Sequence, residues 1–201
     1  KVGVGFLFAP AFHSAMKHAA APRAEIGLRT VFNLLGPLTN PAGANAQLVG
    51  VYKPALTEPI ARVLGNLGCY GALVAHGEGG YDEITITGPT KISRLLNGKV
   101  RNFTIKPEDF GMERAGRDAV KGRDPQFNAL VISGILQGRR GAARDVVVLN
   151  AAGTLLAAGA AKNFKQGVKM AIDSIETAAA ARKLELLVKE TAAFKPLAGK
   201  R

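Results

Sequence analysis

Cysteine is almost missing from this chain of 201 residues: Cys69 stands alone, so an intrachain disulfide is excluded. That usage fits a reducing compartment such as the cytoplasm, and Cys69 itself reads as a small core residue. Tryptophan is absent and Phe, Tyr and Trp together make only 6%. A surface that stacks bases would need more. No apolar run reaches the roughly 18 residues of a membrane span. The nearest, Ala151 to Ala161, is short and broken by Gly153 and Gly159. The apolar residues 2–9 behind Lys1 lack the long apolar core and cleavage site of a signal peptide. There is no GxxxxGK(S/T) loop, no zinc-type Cys/His spacing and no GxSxG elbow. With one Cys and no Ser/His/Asp order, nucleophilic hydrolysis is disfavoured. Acidic residues are also scarce, 15 against 27 Lys and Arg, for a net charge of +12.

That charge is spread out. Residues 98–145 carry ten cationic and six anionic groups, and residues 161–201 carry nine and four. A nucleic-acid face clusters its cations and interleaves aromatics. Scattered cations fit solubility and small anionic substrates better. The hydrophobic fraction of 47% marks a globular chain long enough for one substantial core. Twenty-four glycines recur in turns between apolar runs, which predicts many tight connections.

The pattern predicts an α/β fold. Val2–Phe8 reads as a buried strand ended by Ala9-Pro10, and Ala11–Ala21 and Arg29–Leu35 read as helices stopped by Pro22 and by Gly36-Pro37. Ala46–Val51 reads as a strand, Pro54–Leu67 as an amphipathic helix closed by Gly68, and Tyr70–Ala75 as a strand. Together they form one βαβ unit, so the sheet is at least partly parallel. Ile84–Thr87, Lys91–Leu96 and Lys99–Ile105 read as shorter strands, the last two joined by an Asn97-Gly98 hairpin turn. After the charged connection 106–124 the pattern turns helical. Asp124 caps a helix to about Leu136, Ala142–Ala158 is a buried helix, and Asn163–Ile172 and Ser174–Thr191 follow, with Ser174 as a helix start.

Two stretches carry the chemistry. FLFAPAFHSAMKHAAAPRAEIGLRTVFNLLGPLTNP (Phe6–Pro41) sets His13, Lys17, Arg23, Arg29, Asn33 and Asn40 among apolar residues. An apolar slot with a few aimed donors suits a small aromatic anion. His13, near a helix N-terminus, can donate from its imidazole, and Arg23 can clamp a carboxylate with two hydrogen bonds. Equally, His13 could simply cap the helix and Arg23 sit in solvent. Gly36-Pro37-Leu38-Thr39-Asn40-Pro41 is a rigid turn that either shapes a site or only the chain. HGEGGYDE (His76–Glu83) puts a Gly-rich turn before two adjacent carboxylates. Ligands of parallel sheets lie beyond the carboxyl ends of strands, and Mg²⁺ takes one or two carboxylates while sharing a substrate phosphate. Asp82 and Glu83 fit that role, and two solvated acids would look the same in sequence. His76 reads as a loop residue or a ligand.

The first of these segments and HGEGGYDEIT closely resemble the anthranilate phosphoribosyltransferase family, the long first segment being the more specific, and the likeness runs through essentially the whole chain. Ser14 departs from the family's usual proline after the histidine. The resemblance implies a nucleoside phosphorylase/phosphoribosyltransferase-like α/β domain over 1–201, with a mostly parallel central sheet flanked by helices and a helical C-terminal third. It implies transfer of a phosphoribosyl group from phosphoribosyl pyrophosphate to the amine of anthranilate, with inversion and loss of pyrophosphate, in tryptophan biosynthesis. On this likeness His13, Arg23, Gly36 and Pro37 line the anthranilate path, Asp82 and Glu83 hold Mg²⁺, and no residue is a nucleophile. The family also carries an N-terminal helical domain, which makes its homodimer contact, and a GTGGD phosphate loop. Neither is found in 1–201, so the chain is expected to be incomplete at its N-terminus and, alone, inactive. The rival reading is a nucleic-acid-binding relative of the same fold, for which the +12 charge speaks. The retained Asp82-Glu83, His13 and Arg23 favour the enzyme. A pyrimidine nucleoside phosphorylase shares the fold and a GPLTNP-type segment, but FHSAMKH fits it less well.

Overall fold

The computed structural model describes residues 1–8 and 36–193. The helices expected over Ala11–Ala21 and Arg29–Leu35 lie outside the described residues.

The βαβ unit is present as β1 (Ala46–Gly50), α1 (Thr57–Asn66) and β2 (Gly71–Gly77). β1 and β2 pair in parallel, from Ala46 opposite Gly71 to Gly50 opposite Ala75. A 3-10 turn at Pro54–Leu56 leads into α1, and Gly68, at φ 93°, turns the chain out of it. β2 is buried along nearly its whole length, as a strand covered on both faces must be.

β3 (Thr90–Leu96) pairs antiparallel with β2, and β4 (Lys99–Ile105) antiparallel with β3, in the order β1-β2-β3-β4. The α/β class holds, and the sheet among the described residues is mixed where a mostly parallel one was expected. The reason is local. Asn97 and Gly98 adopt φ 47° and 77°, the two left-handed residues of a type I′ turn, and a two-residue turn can join only antiparallel strands.

The helical last third comprises α2 (Pro125–Leu136), α3 (Ala142–Ala157), α4 (Phe164–Glu176) and α5 (Ala179–Ala192). The Asp124 carboxylate accepts from Phe127 N–H at 2.8 Å, capping α2 as the sequence predicts. Asn163 Oδ1 accepts from Gln166 N–H at 2.9 Å and caps α4. The helix start expected at Ser174 is corrected: Ser174 lies inside α4. The buried face Val168, Ala171, Ile175 runs past it, so packing overrides the capping preference of serine. The break comes at Ala178, in the left-handed conformation at φ 56°.

The sheet separates two cores. α1 packs Ile60, Ala61 and Leu64 on Val49, Ala72, Val74 and Leu95. α3 and α4 pack Val148, Leu149, Leu156, Phe164 and Val168 on Leu73, Ala75, Ile92 and Ile105. Phe164 meets Phe103 edge-on, with ring centroids 6.3 Å apart.

Two expected strands are corrected. Residues 1–8 form no strand, and Phe6 is 80% exposed. A strand needs a neighbouring edge for its backbone groups, and these residues meet α5 instead. Lys183 Nζ donates to Val2 O at 2.7 Å, and Lys1 pairs with Glu190 at 3.3 Å. Ile84–Ile86 is buried and Thr87 half-buried, but the segment is irregular. Side chains satisfy part of its backbone: Thr85 N–H donates to Thr90 Oγ1, and Thr87 N–H to Thr85 Oγ1, both at 3.1 Å.

Candidate active site

The acidic pair sits beyond the carboxyl ends of the two parallel strands. β2 ends at Gly77, and the loop from Glu78 to Pro89 returns the chain to β3. The loop opens with a tight turn. Gly77 N–H donates to Tyr81 O at 2.8 Å, and Gly80 and Tyr81 N–H both donate to Gly77 O at 3.2 Å. Gly79 and Gly80 have φ of 87° and 90°, which is why the segment is rich in glycine. Glu78 N–H donates to Pro89 O at 2.8 Å and ties the loop's two ends together. Arg117 braces it from outside, donating to Gly79 O at 3.0 Å with its guanidinium carbon 5.8 Å from the Tyr81 ring centroid.

Asp82 is exposed and Glu83 half-buried. Burial, and then the negative charge of Asp82, hold the Glu83 carboxyl above the ordinary glutamate range. Neither carboxylate has a hydrogen-bond or ion-pair partner among the described residues. Two adjacent acids with free oxygens and unneutralised charge fit a hard divalent cation. No cluster of three or more His, Cys, Asp or Glu side chains occurs among the described residues. Two protein carboxylates alone suit Mg²⁺ that shares its remaining positions with water and a phosphorylated ligand.

Glu83 forms part of the wall of a cavity of about 700 Å³ between α2, α3 and the connection 118–123. Phe127, Val131 and Val146 give it an apolar side, and Lys121 and Arg123 line it with cations. Two acids, Glu83 and Asp118, two cations and an apolar wall share one concavity. Lys121 and Arg123 were not singled out from the sequence. Their only signal was the charge density of RDAVKGRD (Arg117–Asp124).

The other expected site residues fare differently. His13 and Arg23 lie outside the described residues. Residues 36–38 are helical, with Gly36 exposed and Pro37 half-buried, and Thr39 N–H donates to Gly36 O at 3.4 Å. Leu38 packs on the α1 side of the sheet, whereas Glu83 opens toward α2 and α3. His76 is a strand residue of β2. Its Nδ1 lies 2.8 Å from Val51 O, and because a carbonyl only accepts, Nδ1 carries the proton. Cys69 is a buried free thiol, as its composition-based reading has it.

The glycosyl transferase family, a/b domain, matches residues 1–181. The anthranilate phosphoribosyltransferase of Moorella thermoacetica is 56% identical over 188 residues, covering 94% of this chain and 56% of that protein. That of Symbiobacterium thermophilum is 54% identical over 185 residues, covering 92% and 54%. Among solved structures, anthranilate phosphoribosyltransferase from Thermus thermophilus superimposes with a TM-score of 0.89 at 42% identity, over 96% of this chain and 57% of that one. The Saccharomyces cerevisiae enzyme in complex with PRPP and Mg superimposes with a TM-score of 0.81 at 26% identity, over 90% and 53%. The chain thus spans little more than half the length of the relatives it matches.

Proposed function

The chain belongs to the glycosyl transferase family defined by this a/b domain, and on that footing we propose that it is the α/β part of an anthranilate phosphoribosyltransferase. The reaction moves the phosphoribosyl group of phosphoribosyl pyrophosphate onto the amine of anthranilate and releases pyrophosphate. The observation that carries the reading is the Asp82-Glu83 pair beyond β2, without a partner among the described residues, with Glu83 on a cavity that Lys121 and Arg123 also line. Relatives named for this activity at above 50% identity support it.

Asp82 and Glu83 are the residues that would hold Mg²⁺, which when bound takes up negative charge on the leaving pyrophosphate. Lys121 and Arg123 raise the local potential for an anionic substrate. The apolar wall excludes water from part of the cavity, which strengthens each charge interaction inside it. His13, Arg23, Gly36 and Pro37 belong to the proposal as the anthranilate path. A homodimer through a helical domain, and a cytoplasmic setting, belong to it too. Among the described residues, no helix is long and apolar enough to cross a membrane. A nucleic-acid-binding relative of the fold has less support, because the relatives reported above are transferases by name.

The test is a chimera in which this chain replaces the matching part of the Moorella enzyme. Anthranilate fluorescence should fall on adding phosphoribosyl pyrophosphate and Mg²⁺, and Glu83→Gln should abolish the fall. A folded chimera that binds neither substrate would overturn the proposal.

A further inference from the structure

We infer that Asn150 is a positioning residue for the Asp82-Glu83 pair, an inference that rests on the metal-site reading above. Asn150 lies on α3. Its Oδ1 accepts from Ile84 N–H at 3.1 Å, and its Nδ2 donates to Ile84 O at 2.7 Å. One side chain therefore satisfies both backbone polar groups of the residue that follows Glu83. Nδ2 also donates to Val146 O at 2.9 Å, one turn back on the same helix, which fixes the amide's orientation.

The chemistry of the side chain matters here. Ile84 is fully buried and belongs to no strand, so its N–H and C=O need partners from outside the sheet. An asparagine amide presents one acceptor and one donor in a rigid plane. Aspartate has the same shape but only acceptors, so its carboxylate would face the Ile84 carbonyl. Alanine would leave both groups unpaired.

Two close approaches complete the clamp. Gly153, on the same face of α3, stands where a Cβ would come 2.8 Å from Ile84 Cδ1. On the other side, Gly50 at the end of β1 abuts the Asp82 backbone. The chain is thus bonded at Ile84 by α3 and packed closely against β1 at Asp82, with Glu83 between. Asn150 touches neither carboxylate. It acts through the backbone, as an outer-shell group does when it orients a metal ligand, and loss of such groups costs roughly 10–100-fold in metal affinity.

The test compares wild type with Asn150→Ala and the isosteric Asn150→Asp, which keeps the packing if the alanine variant fails to fold. Amide hydrogen exchange is read at Ile84 against Val74 in β2. Mn²⁺ affinity is read by electron paramagnetic resonance with pyrophosphate present. We expect faster exchange at Ile84 with Val74 still protected, and Mn²⁺ affinity weakened by roughly 10–100-fold. Unchanged exchange at Ile84 in the folded variants, or looser Ile84 with unchanged Mn²⁺ affinity, overturns the inference. Wild-type Mn²⁺ binding that Glu83→Gln leaves intact overturns the metal-site reading instead, and the exchange result then still decides whether Asn150 holds the loop.

Discussion

Gly50, the last residue of β1, lies so close to the carbonyl of Asp82 that no Cβ fits between them. The parallel strand and the acidic loop therefore meet through a backbone contact that only glycine permits. Gly50→Ala should push the loop outward or strain the strand end. Overpacking of this kind costs roughly 1–3 kcal/mol, so the urea midpoint should fall. The Mn²⁺ affinity proposed for the acid pair should fall with it. A variant as stable as wild type, with unaltered metal binding, would show that the loop yields freely.

Glu58 joins α1 to the outer hairpin. It bonds Arg62 on its own helix and accepts from Asn102 Nδ2 at 2.6 Å, while Asn102 Oδ1 accepts from Ser93 Oγ at 2.6 Å. The Arg62 and Asn102 hydrogen bonds lower the Glu58 pKa in the fold. A carboxyl with a lowered folded pKa adds stability above its unfolded pKa of about 4.3 and loses it as pH falls through the folded value. Glu58→Gln should therefore be less stable than wild type near neutral pH, and the gap should close as pH falls through the lowered folded pKa. A gap that persists unchanged in acid would assign the effect to shape and not to charge.

Arg94 and Arg101 stand directly opposite each other on β3 and β4. Arg94 Nε is buried and has no hydrogen-bond partner among the described residues. Like charges placed so are unfavourable, and an opposite pair is worth roughly 0.2–1 kcal/mol. Arg101→Glu should raise the thermal midpoint, and added salt should shrink the gain. A lower midpoint at low salt would contradict this reading of the pair.

Asn163 caps α4 and Ser174 lies within it. Asn163→Ala should cost about 1 kcal/mol, the usual value of a helix N-cap. Ser174→Ala should cost almost nothing, since alanine favours a helix interior. Chemical denaturation of the two variants measures both, and the reverse order would move the helix boundary back to Ser174.

Local chemistry made much of this protein legible in the order of its residues. The α1 stripe of Ile60, Ala61 and Leu64, the Asn97-Gly98 turn, the helix starts at Asp124 and Asn163 and the Gly-rich turn before Asp82-Glu83 are all set by residues close in the chain, and the structure has each of them. What failed depended on distant neighbours. Val2–Phe8 has the apolar run of a buried strand but joins no edge among the described residues. Ile84–Thr87 has the composition of a strand, yet its Ile84 backbone is bonded by Asn150, 66 positions away. Ser174 offers a cap that the buried face of α4 overrides. The same limit applies to the site. That two acids follow a strand and a tight turn can be read from the chain itself. That Gly50 and Asn150 hold those acids from either side, and that Glu83 shares a cavity with Lys121 and Arg123, emerges from the folded arrangement. Turns and caps are made by bonds within a few residues, whereas a clamp or a cavity is made by segments whose meeting depends on how the whole core packs.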